Sequence, residues 1–327
     1  MAAKKTSALV VGAGSFARYH ASIMLKMGKT VSVAGMVEPA EESRVKMAEK
    51  FTEAGRKAPP FYYSIKEFLA ANKGPADCAL IVSPHKFHAE QIVECLHAGM
   101  DVLCEKPMVL NVKEARRAIK ARDETGRLLS VAFPGSFSPA VHKAKELIAS
   151  GAIGDVMSIS GYANQNWVGL SKGTWRMDSS ISGGGFLFDT GSHLINTVVD
   201  IAGSDVKDIF VLQDNRGAPV EISSSITGRF KNGIFFSLCG EGNSIDCLSS
   251  VRIFGTKATL ITGMWGERLR IAYNGKPEED IPCTPSNGTF EQFLKVRDGK
   301  LANPCPPEVG LRFAKLMDLV RAAVAKK

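Results

Sequence analysis

A chain of 327 residues is long enough for two domains, since single hydrophobic cores stop growing at roughly 250–300 residues. Hydrophobic residues make up 45% of the chain and charged residues 23%, which is ordinary for a soluble globular protein. The net charge of +8 comes from Lys and Arg scattered along the sequence, with no dense basic run interleaved with aromatics. We therefore predict a solvated basic surface and no nucleic-acid partner.

The apolar runs and the cysteines exclude several other classes. The longest apolar runs, such as 8–11 and 79–82, are far too short to span a bilayer, so we predict no membrane partner. The start of the chain lacks the extended apolar stretch of a secretory signal, and we expect a cytoplasmic protein. Seven cysteines without a C-x-x-C pair predict reduced thiols, with no disulfide framework and no metal site.

The first 130 residues alternate short apolar runs with helical stretches. Such alternation predicts βαβ units and a doubly wound parallel sheet, so we assign an α/β Rossmann domain to residues 1–130. The predicted strands lie at 7–11, 31–37, 77–82, 101–104 and 128–133, and the predicted helices at 15–27, about 41–54, 87–97 and 111–126.

The pattern changes after about residue 150. Consecutive β-like segments separated by turns such as Asn232-Gly233 and Asn274-Gly275 predict a mostly antiparallel sheet. We therefore predict a C-terminal α+β domain at 131–327, with its last helix, about 307–325, a candidate to pack back on the Rossmann domain. The predicted strands lie at 156–162, 206–213, 221–230, 233–241, 249–254, 259–263 and 269–273, after a helix that starts at Ser138-Pro139.

The first motif with chemical content follows the first predicted strand and opens the first predicted helix. It has the form G-x-G-x-x-G/A, which in this context is typical of a dinucleotide-binding turn. Its glycines allow a tight turn and a close approach of the pyrophosphate, and the free N–H groups of the helix N-terminus face the phosphates. The alternative is a glycine turn without a ligand. The residues are Gly12, Ala13, Gly14, Ser15, Phe16 and Ala17.

Glu38 ends the second predicted strand, about twenty residues past this motif. An acidic residue here accepts hydrogen bonds from the adenosine ribose hydroxyls and repels a 2′-phosphate, which favours NAD over NADP. The alternatives are a solvated Glu38 at a helix entrance, and NADP binding assisted by the nearby Arg44.

Two further loops follow the predicted strands at 77–82 and 101–104. Ligands of doubly wound sheets lie outside the carboxyl ends of the strands, so both loops should line the cofactor cleft. The residues expected to contact the cofactor are Ser83, Pro84, His85, His88, Glu105, Lys106 and Pro107.

These motifs, with a later Gly-Gly-Gly-x-x-x-Asp-x-Gly-x-His run, resemble the glucose–fructose oxidoreductase/inositol dehydrogenase/MocA family over nearly the whole chain. The resemblance implies an NAD(P)-dependent enzyme acting on sugars, polyols and related hydroxyl or carbonyl compounds. It also implies that the domain at 131–327 binds the substrate and, through its sheet, forms a homodimer or homotetramer.

The resemblance assigns roles to three residues. Lys106 matches the family lysine that touches the substrate hydroxyl and the nicotinamide region, and the Lys106-Pro107 bond is often cis in relatives, which would aim the lysine. Asp189 and His193 match the family Asp and His, and their i, i+4 spacing would place both on one helical face. His193 can shuttle a proton near neutral pH, and Lys106 can stabilise negative charge on oxygen.

Other positions carry structural alternatives or depart from the family pattern. Trp167, Trp175 and Arg176 match a loop that shapes the substrate pocket in relatives, but they could equally pack the core. Asp189 and His193 could simply stabilise a helix. Relatives often carry an Arg where 133–137 reads Phe-Pro-Gly-Ser-Phe, an Asn where this chain has His85, and an Asp where it has Asn196. These departures favour a different substrate from that of the commonest members.

The sequence thus predicts reversible hydride transfer between a nicotinamide and a secondary alcohol or carbonyl of a sugar, cyclic polyol or related molecule. Alternatives are a reductase of keto sugars or diol-type substrates, a dinucleotide-binding sensor without catalysis, and a structural module with a vestigial site.

Overall fold

The computed structural model describes residues 5–285 and 287–325, which form two compact units. The stretch Phe293–Pro307 belongs to the first unit, although the predicted boundary assigns it to the second domain. The stretch is bonded to β-strand residues of that unit: Val131 N donates to Cys305 O (2.9 Å), and the Asn303 side chain donates from Nδ2 to Leu129 O (3.0 Å). The first unit contains the described residues up to Val109, Lys113–Ala132 and Phe293–Pro307, and the second contains Leu110–Val112, Phe133–Gln292 and the described residues from Glu308 on.

The first unit is built on a six-stranded parallel sheet. Its elements are β1 (Thr6–Val11), α1 (Ser15–Lys26), β2 (Val31–Val37), α2 (Glu41–Glu53), β3 (Phe61–Tyr62), α3 (Ile65–Asn72), β4 (Cys78–Ile81), α4 (His88–His97), β5 (Asp101–Cys104), α5 (Val112–Thr125) and β6 (Leu129–Val131). The strand order β3-β2-β1-β4-β5-β6 confirms the predicted doubly wound Rossmann sheet.

The register of this sheet brings three strand ends to one edge. Val11 at the end of β1 pairs with Val37 of β2 on one side and Ile81 of β4 on the other. All four residues of β4 are buried, as expected for a strand covered on both faces. The loops after β1, β2 and β4 therefore start at the same edge of the sheet.

Two elements of this unit were absent from the predicted set. β3 has only two residues at the edge of the sheet, too few for an apolar period to show. α3 is short, and its N-cap Ser64 accepts a hydrogen bond from Glu67 N at 3.1 Å.

The second unit contains an eight-stranded sheet with helices before and after it. Its elements are α6 (Pro134–Phe137), α7 (Pro139–Ala149), β7 (Val156–Asn166), α8 (Trp167–Ser171), α9 (Ser179–Ser182), α10 (Gly191–Ala202), β8 (Val206–Asp214), β9 (Ser223–Phe230), β10 (Phe235–Glu241), β11 (Asn243–Gly255), β12 (Ala258–Thr262), β13 (Leu269–Tyr273), β14 (Glu279–Ile281), α11 (Thr289–Arg297, whose last residues belong to the first unit) and α12 (Pro307–Val324).

The strand order is β14-β13-β12-β11-β7-β10-β9-β8. Every pair is antiparallel except β7 with β10, which confirms the predicted mostly antiparallel sheet. Gly233 (φ 92°) and Gly275 (φ 70°) occupy the two predicted hairpin turns.

The two faces of this sheet differ in exposure. α10, buried along its whole length, packs on one face, where a Cβ at Gly161 of β7 would lie 2.8 Å from Leu194 Cδ1. The other face carries large apolar side chains that are 46–58% exposed: Tyr162, Phe210, Leu212, Phe235 and Leu248. Within the described ranges, no helix combines the length and the apolarity needed to cross a membrane.

Candidate functional site

The turn between β1 and α1 is open on the side that faces away from the sheet. Gly12 has φ 107°, and a Cβ there would lie 2.7 Å from Val82 O, so only glycine fits. Gly14, the N-cap of α1, is exposed, and a Cβ on it would meet nothing within 4 Å. Ser15 and Phe16 are exposed as well, so the N-terminal end of α1 is open to an anionic group. This geometry fits the pyrophosphate of a dinucleotide.

The Glu38 carboxylate lies against this turn. Its Oε2 accepts a hydrogen bond from Ala13 N (2.8 Å), and its Oε1 accepts one from Ala40 N (2.9 Å). Arg44 donates from Nε to Glu38 O (2.6 Å), and its guanidinium lies 4.0 Å from the centroid of the Tyr63 ring. The acidic side chain is therefore fixed at the turn, with a cation anchored beside it.

The loops after β4 and β5 are joined by His88. Its ring contacts two carbonyl oxygens, with Nε2 2.8 Å from Ser83 O and Nδ1 3.0 Å from Pro107 O. The side chain is fully buried, and burial lowers the pKa of His88, although both carbonyls oppose that shift. Both ring nitrogens of His88, a residue predicted to contact the cofactor, thus face backbone carbonyls, and the side chain holds the two loops together.

The Glu105-Lys106-Pro107 loop follows β5, and the Lys106–Pro107 peptide bond is cis. Glu105 is only 6% exposed. Its Oε1 lies 2.8 Å from His20 Nε2, and its Oε2 accepts a hydrogen bond from Lys106 N (3.2 Å). Lys106 itself is partly exposed. Glu105 is thus buried and bonded within the protein, whereas the Lys106 side chain has access to solvent.

In the second unit, a buried carboxylate binds two donors from distant residues. Asp189 is 4% exposed, and its Oδ2 accepts hydrogen bonds from Trp167 Nε1 (2.9 Å) and Arg176 Nε (2.8 Å). Trp167 is itself 2% exposed, so it packs in the core and reaches the site through Asp189. Arg176 also lies 4.5 Å from the Trp175 ring, which gives these three predicted pocket residues one connected arrangement.

The predicted helical position of Asp189 is wrong. α10 begins at Gly191, and Asp189 lies in the preceding turn, where Asp189 N donates to Gly185 O (3.0 Å) and Gly191 N donates to Phe186 O (2.8 Å). These two bonds close a tight turn before the helix starts. The carboxylate therefore approaches from the turn, whereas His193 projects from the first turn of α10.

His193 is 9% exposed and lies in an aromatic setting. Its ring makes edge contacts with Trp265 (centroids 5.8 Å apart) and Phe133 (6.0 Å). Next to it, Thr190 Oγ1 donates to Gln165 Oε1 (2.9 Å). Sequence reasoning missed Trp265 and Gln165, because each comes from a strand or turn far along the chain and no local pattern marks it.

The glycine run before Asp189 makes close contacts with the protein itself. A Cβ at Gly185 would lie 2.0 Å from Glu221 O, and Gly185 N donates to Glu221 Oε2 at 2.5 Å. Burial raises the pKa of Glu221. Glycine at position 185 is therefore explained by the close approach of Glu221 from elsewhere in the same chain.

Two of the departures from the family pattern form a single contact. Asn196 Nδ2 donates to Ser136 Oγ (2.9 Å), and the two side chains are 2% and 1% exposed. Gly135 beside them also lies close to α10, since a Cβ there would lie 2.4 Å from Thr197 Oγ1. Ser136 and Gly135 therefore pack directly against α10. Among the residues of 5–285 and 287–325, no group of three or more His, Cys, Asp or Glu side chains could hold a metal ion.

Comparison with known families and proteins agrees with this geometry. Residues 6–133 match a family described as an oxidoreductase family with an NAD-binding Rossmann fold, and residues 141–261 match the GFO/IDH/MocA C-terminal domain. The chain therefore belongs to the Gfo/Idh/MocA family, a family of oxidoreductase enzymes, and the resemblance seen in its sequence is confirmed.

Individual relatives are more distant. Glucose-6-phosphate 3-dehydrogenase of Bacillus subtilis is 27% identical over 263 residues, which cover 76% of this chain and 71% of the relative. The NADP-dependent D-xylose 1-dehydrogenase of Haloarcula marismortui is 32% identical over 123 residues, 37% of this chain and 34% of the relative. A levoglucosan dehydrogenase, solved with NADH and L-sorbose, shares the fold with a TM-score of 0.82 at 20% identity, over 99% of this chain and 97% of that one.

Proposed function

We propose that this protein is an NAD-dependent dehydrogenase that interconverts a secondary alcohol and a carbonyl on a sugar or cyclic polyol. The observation that carries the proposal is the buried Asp189 carboxylate, fixed by Trp167 and Arg176 in the turn that leads into α10, the helix of His193. Such a fixed acid and imidazole in a protected setting are what proton transfer to or from a hydroxyl needs.

Each side chain has one task in this proposal. A bound nicotinamide supplies the hydride acceptor or donor. His193 takes the hydroxyl proton in the oxidising direction and returns it in the reducing direction. Asp189 orients His193 or binds the neighbouring hydroxyl, and the Lys106 ammonium stabilises negative charge that develops on the substrate oxygen. Trp175 and Arg176 contribute a ring and a cation to the substrate pocket.

The sugar or polyol class is supported by the names of the relatives, which act on glucose-6-phosphate, D-xylose and levoglucosan. The departures in the stretch 133–137 and at position 196 support a different substrate from that of the commonest members. Relatives often carry an Arg in that stretch and an Asp at position 196, whereas this chain has a neutral buried pair, Ser136 and Asn196. A keto sugar is the corresponding substrate in the reducing direction.

The preference for NAD rests on Glu38. Its carboxylate is anchored by two backbone N–H groups, so it cannot swing away from a 2′-phosphate without breaking them. We expect Glu38→Ser to raise the affinity for NADPH relative to NADH by about 10-fold or more. Adding Arg44→Ala to that variant should remove the gain, because Arg44 is the cation beside the site; a gain that survives would contradict its role.

The deciding experiment combines cofactor titration with a substrate screen. NADH and NADPH binding is followed by nicotinamide fluorescence, and turnover is screened on inositols, aldoses and keto sugars. Lys106→Met and His193→Gln should each lower kcat by about 10²–10⁴-fold while NADH still binds. Lys120→Met and His97→Gln, at partly exposed positions on other helices, are the matched controls and should keep full turnover.

The outcomes separate the candidates. Tight NADH binding with no turnover on any of these substrates would favour a dinucleotide-binding sensor. Turnover that persists in both Lys106→Met and His193→Gln would remove the proposed roles, and failure to bind either cofactor would overturn the whole proposal.

We also propose that the exposed face of the eight-stranded sheet joins copies of the chain into a homodimer or homotetramer. Five large apolar side chains on this face are 46–58% exposed, and exposed apolar surface of this kind is typical of a protein–protein contact. Cys239, exposed in the row Ser225–Cys239–Tyr162 of this face, gives a probe. Its reaction with a thiol reagent should slow as protein concentration rises through the dissociation constant; a rate independent of concentration would contradict the interface.

A further inference from the structure

A histidine lies on the buried face of α1, where the sequence would favour an apolar residue. α1 buries Ala17, His20, Ala21 and Met24, at helical spacing. The His20 side chain is 2% exposed, and Nε2 lies 2.8 Å from Glu105 Oε1. A buried polar ring at such a position is costly unless it makes a specific bond, so the contact with Glu105 explains why a histidine is present.

The direction of the hydrogen bond between His20 and Glu105 follows from the chemistry of the two side chains. A carboxylate oxygen accepts, so His20 Nε2 donates and carries the hydrogen. Nδ1 has no hydrogen-bond partner among the described residues and is buried.

The ring is also held sterically at the start of the helix. Phe16 contacts its edge at 5.2 Å between centroids, and Tyr19 does so at 5.6 Å. Phe16 belongs to the first turn of α1, directly after the phosphate-binding glycines. The orientation of His20 is therefore fixed by the same turn of helix that receives the dinucleotide.

Glu105 makes a second hydrogen bond, to the backbone of Lys106, the residue proposed to act on the substrate. The second carboxylate oxygen, Oε2, accepts a hydrogen bond from Lys106 N at 3.2 Å. Glu105 thus has one oxygen on α1 and one on the Lys106 backbone, and its carboxylate is 6% exposed. Without His20, this carboxylate would lose the donor that fixes its rotamer.

We propose that His20 is a positioning residue, which fixes Glu105 and through it the backbone from which the Lys106 side chain projects. The consequence is a coupling inside the first unit, because the helix that binds the phosphates also sets the position of the lysine. This inference rests on the proposed function for the role of Lys106, but the coupling itself is a property of the backbone and has a readout of its own.

That readout is hydrogen exchange of the Lys106 amide, measured with peptides spanning 102–108. We expect His20→Ala to speed exchange there by about 10-fold or more, because the acceptor on Glu105 becomes mobile. Met24→Ala is the matched control, since it truncates a buried side chain one turn further along the same helix face without touching Glu105. His20→Gln, whose amide can donate from nearly the place of Nε2, should restore slow exchange.

Kinetics then tests the consequence. His20→Ala should lower kcat by about 10–100-fold with the affinity for NADH within about 3-fold of the parent, whereas Met24→Ala should leave kcat near that of the parent. His20→Gln should recover most of the loss. A purely structural role would affect both Ala variants alike and would not be rescued by Gln.

The two hypotheses fail in different ways. Unchanged exchange at Lys106 in His20→Ala, or equal acceleration in Met24→Ala, would overturn the positioning role. If exchange behaves as expected but Lys106→Met retains full turnover, the coupling stands and the proposed function of Lys106 fails.

Discussion

The glycine turn between β1 and α1 in the first unit and the Asp189 turn of the second are built in opposite ways. The first presents exposed backbone N–H groups from residues of small side chain, next to a carboxylate that is fixed by backbone. The second buries its carboxylate and fixes it by side chains that lie 13 and 22 residues away in sequence. A site made of backbone depends on a few consecutive residues, whereas a site made of side chains depends on the tertiary fold.

The largest effect expected from this difference separates two glycines of one turn. Gly12→Ala places a Cβ 2.7 Å from Val82 O at φ 107°, so it should destabilise the protein by about 3 kcal/mol and weaken NADH binding with it. Gly14→Ala meets nothing within 4 Å and should leave the unfolding free energy within about 0.5 kcal/mol of the parent. Denaturant unfolding and NADH titration measure both quantities.

Gly14→Ala is also the sharper test of the cofactor site. With stability preserved, its Cβ stands only where the pyrophosphate should approach, so NADH affinity should still fall by about 10-fold or more. Full affinity in Gly14→Ala would mean that the dinucleotide does not pass over this turn.

In the second unit, the hydrogen bond from Trp167 to Asp189 can be removed by a side-chain substitution that leaves the backbone conformation unchanged. Trp167→Phe keeps an aromatic ring in the core but deletes the Nε1 donor to Asp189. We expect a loss of about 1.5–3 kcal/mol of unfolding free energy, the range for a buried hydrogen bond to a charged group. Turnover should fall while NADH binding stays unchanged.

Arg176→Gln provides the comparison. The Arg176 side chain is 30% exposed, so this substitution should cost less stability than Trp167→Phe. An equal effect on stability from the two variants, or a loss of NADH binding in Trp167→Phe, would contradict the separation between the two regions.

The same contrast explains what the sequence could predict. The order of the βαβ units follows from local spacing, and the fold confirms it. The glycine turn and Glu38 also follow from local spacing, and the structure places the Glu38 carboxylate 2.8 Å from Ala13 N in that turn. The contacts of Asp189 with Trp167 and Arg176 did not follow from spacing, and the helical placement of Asp189 was wrong because two turn bonds precede α10. Nothing in a local window encodes where α10 begins when three glycines come before it.

The role of His20 could be predicted only in part from the sequence. A signal was present, since a histidine occupies the i+3 position of a buried stripe that starts at Ala17. Its partner Glu105 is 85 residues away, so the sequence marks the anomaly without giving its reason. The pairing of Ser136 with Asn196 is similar: two departures from the family pattern are visible separately, and only the structure joins them.

The smallest expected effect is the pH dependence of stability that comes from His88, which contacts the loops after β4 and β5. Burial lowers its pKa in the folded protein below the ordinary value of 6.5, so below that pH the unfolded chain binds a proton that the folded protein does not. Stability should therefore be constant above about pH 7 and fall as the pH drops through 6.5, by at most about 1.4 kcal/mol per pH unit from this group.

His88→Gln should flatten this part of the profile, whereas His97→Gln, at a half-exposed position on α4, should leave it unchanged. Denaturant midpoints between pH 5 and 8 measure the slope, and a profile equally steep in His88→Gln would show that other groups carry the acid sensitivity of the fold.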